Sequence, residues 1–95
     1  MRQSGHKLRI PQDAAALIQG LHPHLKRKIK SALRMILTAP NSGKALQDEL
    51  AGLRSLRVGK LRIIYRLSGK EVQIVALGPR KRVYEETYRL ILKGK

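Results

Sequence analysis

The pattern of apolar and polar positions predicts helices in the first half of the chain and at its end. Segment 11–20 is predicted to be a short helix that Gly20 closes. A second helix begins at Pro23 and stops before Pro40, and segment 81–92 has the same helical period. The apolar stripe of the second helix comprises Leu25, Ile29, Ala32, Leu33 and Ile36, and basic residues occupy its other face.

The period changes to two residues after the second helix, which predicts strands. Candidate strands cover 53–58, 61–67 and 71–77, and segment 6–10 is a candidate first strand. The predicted order is β-α-α-β-β-β-α, which places the chain in the α+β class. We expect a small antiparallel sheet with the helices packed on one face.

The turn at Gly59-Lys60 fixes the register of the first predicted hairpin. A two-residue turn with glycine first sets Arg57 opposite Arg62, and residues directly opposite share a face. The predicted core face comprises Leu56, Val58, Leu61, Ile63, Tyr65, Val72, Ile74 and Ala76. The predicted open face comprises Ser55, Arg57, Arg62, Ile64, Arg66, Gln73 and Val75.

The open face places two arginines side by side. Arg57 and Arg62 have no predicted acidic neighbour, and like charges directly opposite destabilise a sheet. Either the two side chains splay apart in solvent, or they form an anion site where a phosphate or carboxylate relieves their repulsion. Arg66 differs, because a second turn at Ser68-Gly69 would place it opposite Glu71 in a surface ion pair.

Composition and charge narrow the function classes. The chain has 95 residues, 42% of them hydrophobic, which suits one domain covering residues 1–95. It lacks cysteine, so disulfides and thiolate metal sites are excluded, and no apolar run is long enough for a membrane span. The cytoplasm is the expected location. The net charge of +15 favours a polyanion or an acidic protein as the partner.

A second basic cluster opens the last predicted helix. Arg80, Lys81 and Arg82 follow the last strand and should approach one end of the arginine pair. Cations at a helix N-terminus oppose the helix dipole, so either a functional role or a loose first turn explains them. Tyr84 lies one helical turn after Arg80, where its ring either stacks on a base or packs in the core.

Other catalytic chemistry has little support in the sequence. The six carboxylates include no pair placed to hold the ions of a two-metal nuclease, and the three histidines lack metal-ligand spacing. No metal or cofactor is therefore expected. The open sheet face carries no aromatic residue, unlike the base-stacking sheet of RNA-recognition motifs.

The segment LRSLRVGKLRIIYRL, followed by a strand and then GPRKRVY, resembles the RelE/ParE toxins of bacterial toxin–antitoxin pairs. The basic second helix and the AP…GKAL…LAGL segment are similar to the same family. The resemblance covers nearly the whole chain and implies a RelE-like fold. In the RelE branch it implies a ribosome-dependent, metal-independent endoribonuclease. Such an enzyme cuts mRNA through attack of a ribose 2′-hydroxyl on the adjacent phosphate.

The resemblance also implies roles for particular residues. Arg57 matches a basic active-site residue of the sheet, and Arg62 matches the arginine that contacts the reacting phosphate. Arg80 matches the arginine proposed as proton donor to the leaving oxygen, and Tyr84 matches the tyrosine that orients a base. The residues expected to contact RNA are Lys26, Lys30, Lys60, Arg66, Lys81 and Arg82.

The chain departs from the family pattern in two places. Ser55 stands where some members have a second catalytic lysine, and the short segment before Tyr84 makes Arg80 and Arg82 compete for one role. The implied partners are a cognate acidic antitoxin, mRNA in the ribosomal A site and ribosomal RNA. Two alternatives stay open: a ParE-like gyrase inhibitor that acts by protein–protein binding, and a non-catalytic RNA-binding or ribosome-associated module.

Overall fold

A computed structural model describes residues 6–93, apart from the side chains of Arg80 and Lys93. Its helices are α1 (Gln12–Gln19), α2 (Pro23–Thr38) and α3 (Arg80–Lys93), and its strands are β1 (Lys7–Arg9), β2 (Lys44–Ala45), β3 (Arg54–Val58), β4 (Leu61–Ser68) and β5 (Glu71–Pro79). Single 3₁₀ turns at Pro40–Ser42 and Asp48–Leu50 flank β2. The predicted α+β class is confirmed. Strand β2 was not predicted, because its two residues are too few to show the alternation of apolar and polar positions. Across residues 6–93, no helix combines the length and apolar character needed to cross a membrane.

The five strands form one sheet in the order β1-β5-β4-β3-β2. The β2–β3, β3–β4 and β4–β5 pairs are antiparallel, whereas β1 runs parallel to the first residues of β5. The predicted antiparallel sheet therefore has one parallel edge. Alternation along the chain does not reveal this edge, because α1 and α2 separate β1 from its partner strand.

The first hairpin has the predicted register. Arg57 is opposite Arg62 and Leu56 is opposite Ile63. Gly59 has a φ of +62°, which favours glycine at the first position of the two-residue turn. The turn chemistry thus places both arginines on the same face.

The second hairpin is displaced from the predicted register. Ser68 pairs with Glu71, so the turn is Gly69-Lys70, and Gly69 has a φ of +61°. The predicted Ser68-Gly69 turn is wrong, because this turn also needs glycine at its first position. A bulge follows in β5, since Tyr65 pairs with Ile74 and Ile64 pairs with Ala76. The bulge moves Ala76 off the predicted core face.

Helices cover both faces of the sheet. Helices α1 and α2 pack on the face that carries Ile63 and Tyr65, and α3 places Val83 against Ile64 on the opposite face. Ile63 and Ile64 are consecutive and fully buried, so both faces of β4 are covered. The prediction that all helices share one face is wrong, because α3 folds back over the face that carries the arginines.

Tyr65 connects the loop before β2 to the sheet. Its hydroxyl donates a hydrogen bond to the Pro40 carbonyl at 2.6 Å and accepts one from the Gly43 amide at 2.8 Å. Arg54 Nη1 donates to the Gly43 carbonyl at 2.6 Å. Burial raises the pKa of the Tyr65 hydroxyl, although the bond from Gly43 and the charge of Arg54 oppose that change. The loop is therefore held by buried polar contacts.

A hydrogen-bond network crosses β1, β5 and β4. Arg9 Nε donates to Glu71 Oε2 at 3.0 Å, and Gln73 Nε2 donates to Glu71 Oε1 at 2.8 Å. Arg66 Nε donates to Gln73 Oε1 at 2.7 Å. The predicted Arg66–Glu71 ion pair is therefore wrong, because the displaced turn places Gln73 opposite Arg66.

This network predicts an acid dependence of stability. Hydrogen bonds, first from Gln73 and then from Arg9, hold the pKa of Glu71 below its usual value. A carboxyl group with a lowered native pKa stabilises the native state above its unfolded pKa, and that contribution is lost as pH falls through the native pKa. We expect Glu71→Gln to lose less stability than the wild type between about pH 6 and about pH 3, measured by urea unfolding. Equal losses in the two proteins would contradict this assignment.

Candidate functional site

Arg57 and Arg62 lie side by side at the turn end of the first hairpin. They are cross-strand partners on the face of the sheet that α3 partly covers. Arg57 is exposed and its Nε donates to the Gly59 carbonyl at 3.3 Å, whereas Arg62 is half-buried. Among the described side chains, the single ion pair joins Arg9 and Glu71, so neither guanidinium of the arginine pair is neutralised by one of them. The predicted placement of two unpaired arginines on one face is confirmed.

Ser55 connects Arg62 to helix α3. The Tyr84 hydroxyl donates to Ser55 Oγ at 3.0 Å, and Arg62 Nη1 donates to the same oxygen at 3.4 Å. The guanidinium carbon of Arg62 lies 5.9 Å from the centre of the Tyr84 ring, within cation–π range. Ser55 is only 3% exposed, so the oxygen that accepts both hydrogen bonds is buried, whereas Arg62 and Tyr84 are half-buried. The arrangement limits the orientations open to Arg62.

An open hollow of about 310 Å³ lies at the hairpin turn. Its charged lining residues are Arg57, Lys60 and Arg62, and Gly59 and Leu61 complete it. A hollow lined by cations and no carboxylate suits an anionic group such as a phosphate. Among the described residues, no three His, Asp or Glu side chains are grouped to hold a metal ion.

Other predicted site residues lie elsewhere. Arg66 is four positions beyond Arg62 on β4, about 13 Å away at the rise of an extended strand. Lys26 and Lys30 are on α2, which packs on the opposite face of the sheet. These three residues do not join the hollow, so contacts between them and RNA would require a surface much wider than the arginine pair.

Neither Lys81 nor Arg82, at the start of α3, lines the hollow beside the arginine pair. Lys81 and Arg82 are exposed, and Arg82 lines a separate hollow with Glu85, Glu86 and Arg89. The side chain of Arg80 lies outside the described part of the chain. The competition between Arg80 and Arg82 therefore stays open, although the surroundings of Arg82 are partly acidic.

Sequence reasoning missed the connecting role of Ser55. The signal was present, because Ser55 is a small polar residue in an alternating strand and lies on the face that carries Arg57. Without knowledge that α3 covers this face, the residue could not be assigned to a buried contact with Tyr84. The position of α3 is therefore what completes the site.

Comparison with known proteins identifies the family. The family described as ParE toxin of type II toxin–antitoxin system, parDE, matches residues 10–84. This chain belongs to that family, within the RelE/ParE superfamily of toxins. No curated protein sequence matches the chain.

Solved structures show the same fold. The RelBE2 toxin–antitoxin complex of Mycobacterium tuberculosis is 28% identical, covers 80% of this chain and 99% of its own, and has a TM-score of 0.70. A mutant RelE toxin of E. coli in the free state is 19% identical and has a TM-score of 0.73. The match covers 92% of this chain and 98% of the RelE chain. A chain of the chromosomal ParDE system of P. aeruginosa is 20% identical and has a TM-score of 0.63. The match covers 81% of this chain and 98% of that chain. The RelE-like fold is confirmed, and members of both branches have it.

Proposed function

We propose that this type II toxin is a ribosome-dependent endoribonuclease that cuts mRNA in the ribosomal A site. The observation that carries the proposal is the unneutralised pair of Arg57 and Arg62 beside Tyr84. Two cations directly opposite each other cost stability in the free protein, and a bound phosphate removes that cost. A phosphate-binding role explains why the fold contains this arrangement.

In the proposed reaction, the ribose 2′-oxygen forms a bond to the adjacent phosphorus, and the bond from phosphorus to the 5′-oxygen breaks. The products are a 2′,3′-cyclic phosphate and a free 5′-hydroxyl. Negative charge grows on the non-bridging oxygens in the transition state, where Arg57 and Arg62 donate hydrogen bonds to them. The two arginines therefore supply charge stabilisation.

Proton transfer needs other groups. The 2′-hydroxyl must lose a proton and the 5′-oxygen must gain one, and an arginine that stays protonated is a poor carrier for either. We assign these transfers to Lys60 at the turn or to groups of the ribosome. Arg80, matched by resemblance to the arginine near the leaving oxygen, then contributes positive charge.

Tyr84 would hold a base next to the reacting phosphate. The bond between its hydroxyl and Ser55 fixes the orientation of the ring, and the ring lies beside Arg62. Aromatic rings stack on unpaired RNA bases. The proposed role of Tyr84 is therefore to align the nucleotide with the arginine pair.

A cognate acidic antitoxin is the proposed protein partner. The similar M. tuberculosis structure is described as a toxin–antitoxin complex, and the P. aeruginosa structure is described as a ParDE toxin–antitoxin system. The net charge of +15 suits an acidic protein, because opposite charge speeds association and relieves self-repulsion. The partner would need to prevent the toxin from reaching the ribosome.

Inhibition of DNA gyrase is a second candidate function. The family match to ParE toxins favours it, and this activity would need a protein-binding surface and no phosphate chemistry. Gyrase inhibition predicts a loss of DNA supercoiling, whereas mRNA stays uncut.

Expression of the wild type and Arg62→Ala in bacterial cells separates the candidates. Mapping of mRNA ends should find cuts in phase with codons for the wild type, and these cuts should disappear in the variant. Intact mRNA together with lost DNA supercoiling would reject cleavage in favour of gyrase inhibition. If mRNA and DNA supercoiling are both unchanged and the protein still binds RNA, the function is that of a non-catalytic RNA-binding module.

Ser55→Ala should slow cleavage about fivefold to tenfold while costing about 1 kcal/mol of stability, because the oxygen that accepts hydrogen bonds from both Tyr84 and Arg62 is removed. Single-turnover cleavage on purified ribosomes and urea unfolding measure the two effects. Ser55→Thr keeps the hydroxyl and should restore most of the rate. A rate unchanged in Ser55→Ala would show that the contact has no positioning role.

A further inference from the structure

A second tyrosine of α3 lies on the same edge of the helix as Tyr84. Val83 and Thr87, one helical turn apart, are 1% and 0% exposed, so the stripe that contains them faces the sheet. Tyr84 and Tyr88 each follow one of these residues and therefore lie along one edge of the buried stripe. Tyr84 is bonded to Ser55 of β3, so this edge of α3 is the one beside β3 and the arginine pair.

Contacts within the chain do not account for the aromatic ring of Tyr88. The side chain is 43% exposed, and its hydroxyl makes no hydrogen bond among the described residues. The chain has three tyrosines, and the hydroxyls of the other two, Tyr65 and Tyr84, are both hydrogen-bonded. An exposed aromatic ring next to a cationic site is typical of surfaces that stack unpaired bases.

The direction of α3 sets the order of the groups along this edge. Arg62 pairs with β5 just before α3 begins, whereas Arg66 shares a hollow with Ile91 near the end of α3. Helix α3 therefore runs along β4 from Arg62 towards Arg66. The order along its edge is Arg62, then Tyr84, then Tyr88, so Tyr88 lies beyond Tyr84 as seen from the arginine pair.

We propose that Tyr84 and Tyr88, the tyrosine pair, hold one unpaired mRNA base between their rings. Residues four apart in a helix have Cβ atoms about 6 Å apart. A base stacked on both sides needs about 7 Å between the two rings, which is twice the spacing of about 3.4 Å between stacked bases. The guanidinium of Arg62 lies over the Tyr84 ring, so the base would enter on the other side of that ring, towards Tyr88.

This inference rests on the proposed cleavage of mRNA and deepens it. In that proposal Tyr84 aligns one nucleotide with the arginine pair through a single ring face. A second ring on the other side of the base would fix its position more closely, because stacking on each face restricts a different movement. Tyr88 would then contact the substrate directly, as a residue that positions the base.

The charges around the tyrosine pair suit a nucleotide. Lys81 lies three residues before Tyr84 and is exposed on the same face of α3, where it could contact the phosphate next to the held base. Glu85 is also close in sequence, but it lines a hollow with Arg82 and Arg89, which compensate its charge. The edge that carries the tyrosine pair therefore lies between cations, which favours a polyanion over an uncharged protein surface.

The first test is single-turnover cleavage of mRNA on purified ribosomes by variants of Tyr88. Tyr88→Ala should cleave about tenfold more slowly than the wild type, because stacking on one face of the base is lost. Tyr88→Leu keeps an apolar side chain without a ring and should be as slow, whereas Tyr88→Phe keeps the ring and should stay within about twofold. Leu92→Ala is the matched control, since Leu92 is 59% exposed one turn further along α3, and it should also stay within about twofold. Thermal unfolding checks that all four variants are folded.

A modified message separates stacking from a structural role of Tyr88. Two further messages each carry an abasic nucleotide, which keeps its 2′-hydroxyl, on one side of the scissile phosphate. At one of the two positions the wild type should cleave more slowly, and there Tyr88→Ala should add no further loss beyond about twofold. The removed base and the removed ring belong to the same contact, so their effects should not add.

Each other result has a distinct meaning. Equal slowing by Tyr88→Ala on the normal and both abasic messages would show a purely structural role and overturn the inference. Normal cleavage by Tyr88→Ala would also overturn it, and weaker binding of the protein encoded by the adjacent reading frame would then identify Tyr88 as a protein contact. If the wild type leaves the normal message uncut, both the cleavage proposal and the base-holding role fail. Cleavage by the wild type and unchanged cleavage by Tyr88→Ala would count against the tyrosine pair alone.

Discussion

Replacement of Arg62 by alanine should reduce mRNA cleavage by about 10²–10³-fold, because one donor to the developing phosphate charge is lost. The fold should persist. The substitution removes the repulsion between Arg57 and Arg62, which offsets the lost hydrogen bond to Ser55. We expect a change in unfolding free energy within about 1 kcal/mol, measured by urea unfolding beside single-turnover cleavage on purified ribosomes.

The matched control for this prediction is Arg66→Ala. Arg66 lies on the same strand and has the same charge, but it is exposed and hydrogen-bonded to Gln73. This variant should cleave mRNA within about threefold of the wild type. Normal cleavage by Arg62→Ala, or its loss through unfolding, would contradict the assigned role of Arg62.

Gly43→Ala should destabilise the protein by about 2–4 kcal/mol, because the new methyl group has no space. A Cβ at this position would lie 2.7 Å from the Tyr65 hydroxyl and 2.9 Å from Tyr65 Cε1, with the Ser55 carbonyl at 3.1 Å. Tyr65 is fully buried and bonded to Pro40, so its side chain cannot move without breaking that hydrogen bond. Urea unfolding measures the loss.

Gly20→Ala is the matched control for Gly43→Ala. A Cβ there meets only backbone oxygens at 3.7 Å, which is ordinary contact, and its φ of −84° suits alanine. Its stability should stay within about 0.5 kcal/mol of the wild type. Comparable stabilities for the two alanine variants would disprove the close packing of Gly43 against Tyr65.

The register of the first hairpin could be predicted from the sequence, because it depends only on residues that are close together in the chain. Glycine at the first turn position and strict alternation determine the register, so the pairing of Arg57 with Arg62 could be predicted. The second hairpin contains two adjacent candidates for the turn, and its β5 strand has a bulge at Val75, next to the cluster that contains Val83 of α3. Strict alternation predicts regular pairing and therefore does not reveal an extra residue in one strand.

The rest of the site depends on where α3 lies. The apolar stripe of the last helix was visible in the sequence, but the face of the sheet that it covers was not. Ile64 was predicted to be open and is fully buried under α3, and the same packing brings Tyr84 to Ser55. The hollow of about 240 Å³ between α1 and α3 is likewise a product of tertiary packing, because Leu17 and Leu90, which line it, come from helices distant in the chain.

In the proposed mechanism, the arginine pair stabilises attack by a ribose 2′-oxygen on mRNA phosphate. The most direct test of this mechanism adds the purified protein to ribosomes that hold a short mRNA. Two messages are compared, which are identical except that one has a single 2′-deoxy substitution at the scissile nucleotide. We expect the all-ribose message to be cut, leaving a 5′-hydroxyl on the downstream fragment, and the substituted message to stay intact. Equal cutting of both messages, or cutting of neither, would contradict the mechanism.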